Sequence, residues 1–343
     1  MSSELCSGSN ALSTMVTTVR YGQIFRHKIS KHSGKEEAVE RAQCPPVLAY
    51  WILGSGGEKK RMLRLLKAIY HPRNQYLLQL DSSAPDYERV ELALLLSESE
   101  KVMREFGNVN VVGKSYGVNQ MGASGLGAVL HAAALLLRIS ADWIDILYAL
   151  SPLPRDVNFV GYSNDTTWNK RQNVGQIVVD PSLYLTEKTP VYYAVETREK
   201  PDAFQIFGGS AWMIVSRGLL EHCVNGWDNL PRKLLMYLNN VDFPLQSYFQ
   251  TLVCNTPELQ NTTVNHDLRY IITQNTDHVM MKEYNGGAII ARPFREDDPR
   301  MQEIDKQRLL NREEERVVAG KWCMEVDVVV VMKKIYCGGI LIV

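Results

Sequence analysis

The sequence has no C-x-x-C pair among its six cysteines, which excludes a disulfide scaffold and the simplest zinc-ribbon pattern. It has no excess of one charge: 38 Lys and Arg stand against 38 Asp and Glu. A chain-wide nucleic-acid footprint, which needs a basic excess or stripe, is therefore not expected. Long apolar runs are also missing. The amino-terminal stretch carries Arg20, Arg26, His27, Lys28, Lys31, His32 and Lys35 without the apolar segment that a secretory signal needs. The apolar end, Val326 to Val343, is broken by Asp327, Lys333 and Lys334 and falls short of the ~20 apolar residues of a spanning helix. It reads as an exposed sticky tail or a strand pair.

Several catalytic signatures are absent as well. There is no H-E-x-x-H, no G-x-S-x-G and no Walker A sequence, so zincin, α/β-hydrolase and P-loop readings lose their anchors. No Asp-x-Asp pair closes an apolar strand, the arrangement that would hold a divalent ion against a diphosphate. Asp297-Asp298 lies in a charged stretch and reads as a solvated face. The seven histidines are dispersed; His131 falls in an apolar helix as a core residue, and His266-Asp267 reads as a turn or an acid/base pair near Arg269.

What is present is a globular composition, 45% apolar and 22% charged. Residues 1–45 are rich in Ser, Thr, Lys and His without a sustained period and read as a flexible segment. After Pro45-Pro46 the run Val47 to Leu53 predicts a buried strand, followed by Gly54-Ser55-Gly56-Gly57. Met62, Leu65, Leu66 and Ile69 then share one face of a helix over 58–70. A second strand over 75–80 ends at Asp81-Ser82-Ser83, and Pro85 opens a helix to about Phe106. A third strand over 109–112 and a helix over 123–139 follow. Further on, 213–215 and 269–272 read as strands, and 230–238 and 245–253 as helices.

Alternating strands and helices define an α/β fold with a parallel, doubly wound sheet. Such sheets take ligands at the carboxyl ends of their strands, here Gly54–Gly57, Asp81–Ser83 and Lys114–Tyr116. The glycine run fits neither the dinucleotide nor the P-loop spacing and reads as a strand-to-helix turn. Asp81 can accept from a ribose hydroxyl or a base N–H, or cap a helix. Arg269 and Arg292, each beside a predicted strand, are candidates to neutralise a leaving diphosphate without a metal. Trp143, Trp168, Trp212 and Trp227 crowd the second half, as sugar-stacking faces or as core. Asn164 and Asn261 each begin an N-x-[ST] glycosylation sequon.

A longer set of runs carries a resemblance. Among them are Arg61-Met62-Leu63-Arg64-Leu65-Leu66, Ile69-Tyr70-His71-Pro72, Gly209-Ser210-Ala211-Trp212-Met213, Gly226-Trp227-Asp228-Asn229-Leu230-Pro231-Arg232 and Asn261-Thr262-Thr263-Val264-Asn265-His266-Asp267-Leu268. Over roughly residues 46–323 the chain resembles plant proteins of the core-2/I-branching glycosyltransferase family. Within it, the chain looks like the β-glucuronosyltransferases that act on arabinogalactan proteins. The resemblance implies a GT-A-type fold with a mostly parallel central sheet, a UDP-sugar donor, inversion at the anomeric carbon, a galactan-type glycan acceptor, and neither metal nor other cofactor. It also implies a Golgi membrane protein facing the lumen, although no anchor is visible in the sequence.

By position, the resemblance makes Asp81 the aspartate that holds the nucleoside and puts Arg269 and Arg292 at or beside the diphosphate. It places Ser210 and Trp212 on the acceptor side. The family's catalytic glutamate, which precedes an aromatic, falls on Gln246 within Pro244-Leu245-Gln246-Ser247-Tyr248-Phe249. A carboxamide cannot take a proton, so impaired transfer is expected unless another carboxylate, such as Glu258 or Asp267, serves. After Trp143 the family runs through a core strand that this chain skips, so a sheet short of one strand is expected. The resemblance ends after Cys323, which divides the chain into 1–45, a transferase domain over 46–312 and a divergent tail over 313–343. A rival expectation is a non-catalytic glycan- or partner-binding module that keeps the fold.

Overall fold

The structure, a computed structural model, describes residues 48–267 except 73, 100, 140–156, 164–174 and 186. It also describes four short strands at 269–271, 290–292, 335–336 and 341–342. The expected divisions at 45/46 and 312/313, the stretch after Trp143 where a strand is expected to be lost, and Asn164 lie outside the described residues.

The first half follows the expected alternation. Strand β1 (Ala49–Gly54) leads to helix α1 (Lys59–Ile69), strand β2 (Gln75–Leu80), helix α2 (Asp86–Ser99), helix α3 (Lys101–Phe106), strand β3 (Val109–Val111) and helix α4 (Ala123–Ile139). In α1 the buried positions are Met62, Leu66 and Ile69, one stripe at helical spacing. The helix expected over 85–106 is two helices, α2 and α3. The second ends at Gly107, whose φ of 58° is left-handed and closes the helix as glycine does most readily.

The central sheet has seven strands. Its remaining members are β4 (Asn158–Ser163), β7 (Gly208–Ile214), β8 (Thr263–Val264) and β12 (Leu341–Ile342), and the order is β3-β2-β1-β12-β7-β4-β8. Strands β1, β2 and β3 pair in parallel, β4 pairs with β8 in parallel, and β7 runs antiparallel to β4. Strand β7 is longer than the expected 213–215, because Gly208-Gly209 extends the pairing toward the amino end. A Cβ at 209 would collide with the Gly161 carbonyl of β4, so that close pairing requires glycine.

Strand β12 differs from both readings of the carboxyl-terminal segment. It pairs antiparallel with β1, Trp51 opposite Ile342, and parallel with β7, Ile342 opposite Met213. The neighbouring strand β11 (Ile335–Tyr336) pairs instead with β10 (Ile290–Arg292), which pairs with β9 (Arg269–Ile271), giving a parallel three-stranded sheet. The two tail strands thus join two different sheets rather than each other. Backbone donors and acceptors of β1 and β7 that would otherwise face one another unpaired are bridged by β12.

Side chains alternate between the two faces of the sheet, and each face has its own core. Ala49, Trp51 and Leu77 pack on one side against α4 and against α5 (Arg217–Val224), α6 (Asn229–Leu238) and α7 (Tyr248–Asn255). Tyr50, Ile52, Tyr76 and Leu78 pack on the other side against α1 and α2, with Phe159, Trp212 and Ile214. Burial on both faces explains why β1 reads as an almost unbroken apolar run. Among the described residues no helix is long and apolar enough to cross a membrane.

Candidate active site

The carboxyl ends of β1, β2 and β3 converge on Asp81, which is only 2% exposed. Its amide donates to the Gly54 carbonyl at 2.9 Å, and the amide of the next residue, Ser82, donates to the Tyr116 carbonyl at 3.1 Å, tying the end of β2 to the end of β1 and to the loop after β3. The Asp81 Oδ1 atom accepts from the Ser83 amide at 3.0 Å and from the Ser83 hydroxyl. The other oxygen, Oδ2, faces the Ser55 hydroxyl at 3.4 Å and the Lys188 ammonium at 3.9 Å. Asp81 caps no helix: α2 begins at Asp86, and the carboxylate organises its own turn instead, with the Ser55 hydroxyl and the Lys188 ammonium beside its other oxygen.

The glycine run is a strand-to-helix turn. The Ser55 amide donates to Glu58, the Gly56 amide to the Ser83 hydroxyl at 2.9 Å, and the Gly57 amide to both oxygens of Glu88 at 3.0 Å. Only Gly57, with φ of 83°, needs the left-handed region. With the carboxylates of Glu58 and Glu88 and the Ser83 hydroxyl already on these amides, the loop offers a phosphate no vacant nest, which requires converging N–H groups.

Lys188 reaches Asp81 from a segment that follows a 3-10 turn, Pro181–Leu183. Asp180 anchors that segment: its carboxylate accepts from the Ser182 amide at 3.0 Å and from the Ser124 amide, in the first turn of α4, at 2.8 Å. An acidic group there complements the positive end of the helix. A Cβ at Gly122 would strike the Asp180 side chain, so this docking depends on glycine. Asn119 completes the link by donating to the Thr189 carbonyl at 2.9 Å.

The region of Gln246 differs from the expected helix over 245–253. A 3-10 turn covers Pro244–Gln246, Ser247 breaks the regular geometry, and α7 begins at Tyr248. The cause is local. Pro244 cannot donate a backbone hydrogen bond, and Phe243 before it adopts φ 47°, ψ 52°, the single described non-glycine residue with positive φ. The expected burial of Leu245, Tyr248, Phe249 and Leu252 holds, and Gln246 is half-buried. The Phe243 amide donates to the Met121 carbonyl at 3.0 Å, which ties this turn to the loop after β3.

Immediately before Phe243 stands Asp242, half-buried, with the Tyr193 hydroxyl and the Phe243 amide directed at its carboxylate. Burial nevertheless raises its carboxyl above the ordinary aspartate value, and the two hydrogen bonds oppose that rise. Its Oδ1 atom is shielded from solvent and accepts no hydrogen bond. Tyr193 lies on β6 (Tyr192–Thr197), which pairs with β5 (Gln176–Val179). Tyr192 and Tyr193 are 63% and 46% exposed.

Of the residues expected on the acceptor side, Ser210 is half-buried and its hydroxyl accepts from the Trp212 amide at 3.0 Å. Its carbonyl takes the Gln250 side-chain amide at 2.6 Å. Trp212 is 6% exposed and packs in the core on the α1 side of the sheet. Arg269 and Arg292 fall on adjacent parallel strands, β9 and β10; Arg269 pairs with Ile290, two residues before Arg292. Glu258 is exposed, and Asp267 is half-buried. Asn261 is exposed, as a glycosylated asparagine requires. Among the described residues no three of His, Cys, Asp or Glu are grouped to hold a metal ion.

Asp81 lies at the strand end where the sequence pattern puts it, while Lys188 and Asp242 sit in no motif and reach their places through loop packing. Asp-Phe-Pro before Gln246 carried a usable signal, since a residue preceding proline is pushed out of the helical region.

Together these features define an α/β fold with a cluster of polar side chains at the carboxyl ends of its first strands. The chain belongs to the Core-2/I-Branching enzyme family, whose match covers residues 48–145 and 144–289, and it is a glycosyltransferase of that family. It is 38% identical over 315 residues to the beta-glucuronosyltransferase GlcAT14A of Arabidopsis thaliana, covering 84% of this chain and 70% of that protein. Identity to GlcAT14C of the same plant is 41% over 284 residues, 76% of this chain and 73% of the relative. A xylosyltransferase of Ciona intestinalis is 27% identical over 243 residues, 66% of this chain and 27% of that protein.

Proposed function

We propose that this chain transfers glucuronic acid from a UDP-sugar to a galactan-type glycan with inversion, on the lumenal side of the Golgi membrane. The observation that carries the donor half of this reading is the cluster of Asp81, Ser55, Ser83 and Lys188 at the ends of β1 and β2. There a carboxylate can accept from ribose hydroxyls and a lysine can stand against phosphate oxygens. Similarity to the two glucuronosyltransferases supports glucuronic acid as the sugar.

In this reading the acceptor hydroxyl attacks the anomeric carbon from the face opposite UDP. Arg269 and Arg292, on neighbouring strands, neutralise the leaving diphosphate in place of a metal. Ser210 stands on the acceptor side with its hydroxyl accepting from the Trp212 amide and its carbonyl from the Gln250 side chain. Trp212 shapes the acceptor side from beneath, as a packed wall. Gln246 orients the acceptor hydroxyl without taking its proton.

A second reading, a glycan-binding module without transfer, is favoured by that same glutamine. Calorimetry with UDP, with and without a chelator, tests the donor and metal-free claims together. Binding that vanishes in chelator refutes the metal-free claim. Labelled UDP-glucuronic acid and a β-galactan acceptor then separate the two readings: UDP binding without transfer favours the module.

A further inference from the structure

We propose that Asn261 takes an N-linked oligosaccharide before this domain folds, and that folding then closes the site to further transfer. The inference rests on the lumenal location proposed above, since such glycans are attached to chains entering that compartment. Two features of the sequon carry it, and they pull in opposite directions. The first is that Asn261 itself suits a glycan. It is exposed, at the end of a short helix, α8 (Pro257–Gln260), so a bulky hydrophilic group there displaces no core packing.

The second is that the rest of the sequon is sealed into the fold. An N-x-[ST] sequon is read through its asparagine and the hydroxyl two residues on. Here that hydroxyl belongs to Thr263, which is 1% exposed in β8. It donates to the Leu259 carbonyl at 2.8 Å, and the Thr262 hydroxyl donates to the same carbonyl at 3.1 Å.

The backbone is engaged as well. Asn261 has helical dihedrals, φ −70° and ψ −18°. The Thr262 carbonyl accepts from the Asn158 amide at 2.7 Å, and Thr263 stands opposite Asn158 in the β4–β8 ladder. Asn158 is itself buried, and its side-chain oxygen accepts from the Ser216 amide, at the start of α5, at 2.7 Å. Presenting Thr263 to an enzyme therefore means drawing β8 off β4 and stripping Val264 from the core on the α1 side. An opening of that extent is a rare excursion of the folded state.

The unfolded chain meets no such obstacle. Asn158 lies 104 residues before Thr262, so the contact that seals the sequon is a long-range one. Contacts of that kind form only as the domain folds. Until then Asn261-Thr262-Thr263 is an unpaired segment, and transfer has its opportunity in that interval.

The co-reactant is a lipid-linked oligosaccharide diphosphate. The Asn261 side-chain nitrogen forms a bond to the anomeric carbon of the oligosaccharide, and the bond from that carbon to the phosphate oxygen breaks. The lipid diphosphate leaves with the electron pair, and the amide nitrogen gives up one proton to the transferring enzyme.

The test has two arms. In the first, the full chain made without glycans in bacteria is incubated, folded, with oligosaccharyltransferase and lipid-linked oligosaccharide. The tryptic peptide 234–269 of the same chain is incubated beside it. The peptide is expected to gain a glycan at Asn261 while the folded chain stays unmodified over the same time. Modification of the folded chain at the peptide's rate overturns the closure, and an unmodified peptide overturns the site. In the second arm the full chain is produced in plant cells, with and without a cleavable secretory leader, and its glycopeptides are mapped by mass spectrometry. Asn261 is expected to carry a glycan in both forms. An unmodified Asn261 in the form with the leader overturns the inference. A glycan present only with the leader overturns the lumenal location instead, and leaves the inference standing.

Discussion

The Lys188 ammonium stands 3.9 Å from the Asp81 Oδ2 atom, joining the segment after β5 to the end of β2. Lys188 is 46% exposed at its side chain and Asp81 is 3% exposed, so the pair is a mobile cation set over a fixed carboxylate. At this distance, and with the lysine half-exposed, the pair contributes little to stability, about 0–1 kcal/mol. A ligand phosphate arriving beside it would gain more.

Lys188→Ala is therefore expected to weaken UDP binding about tenfold, equivalent to about 1.4 kcal/mol, while leaving the thermal midpoint within a degree or two. Isothermal titration at two salt concentrations checks this. The parent's affinity should fall with salt more steeply than the variant's, because one charge contact has been removed. An unchanged dissociation constant would take Lys188 out of the donor site.

Asp242 gives a pH signature of its own. Burial raises its folded carboxyl above the unfolded value, so its cost to stability is present above the folded pKa and is relieved as pH falls through it. Asp242→Asn removes the charge and keeps an oxygen that can accept from Tyr193 and Phe243. The variant is expected to melt at or above the parent's temperature at pH 7, with the gap closing as pH falls toward 4. A variant less stable at pH 7 than at pH 4, relative to the parent, would show that burial does not govern this carboxyl.

Much of the first half was legible because its signals are local. Strand β2 and helix α4 fall where the apolar pattern puts them, Gln75–Leu80 and Ala123–Ile139. Asp81 was legible for the same reason, since a strand end is a position in the pattern. The second half yields less to such reading. Strand β7 depends on a glycine contact with Gly161, a partner far away in sequence. The turn at Pro244–Gln246 depends on the backbone of Phe243, which helical periodicity does not register. Lys188 reaches Asp81 only because Asp180 and Asn119 fasten its segment to the loop and helix after β3.

Strand β12 makes the carboxyl-terminal residues part of the central sheet. Ile342 pairs with Trp51 on one side and Met213 on the other. Deleting residues 341–343 leaves β1 and β7 facing each other with unmatched backbone groups, at about 1–3 kcal/mol for each one that stays buried. For a domain of this size a loss of a few kcal/mol lowers the midpoint by about 5–12 °C. Ile342→Pro, which removes one N–H donor, is expected to reproduce part of that loss. Differential scanning calorimetry of both variants decides. Midpoints matching the parent would mean that β12 adds nothing to the sheet.

Cys223, on α5, supplies a test of packing on the α4 side of the sheet. Burial pushes its thiol up to about 12, an effect the neighbouring Tyr248 hydroxyl only partly opposes. At pH 8 the folded protein then holds only about 10⁻⁴ of this thiol as thiolate, the species that reacts with electrophiles. Iodoacetamide at pH 8 should leave Cys223 unmodified in the native protein and alkylate it in denaturant, where the thiol returns to about 8.5. Peptide mass mapping reads the difference. The same shift fixes a sign for stability. The unfolded thiol ionises first, so Cys223's contribution is intact below about 8.5 and is lost as pH rises from there toward 12. Rapid alkylation of Cys223 in the native protein would mean that its half-buried thiol is not held in the apolar surroundings that α5, α6 and α7 provide. The packing of Tyr248, which follows Gln246 in the chain by two residues, would then need revision too.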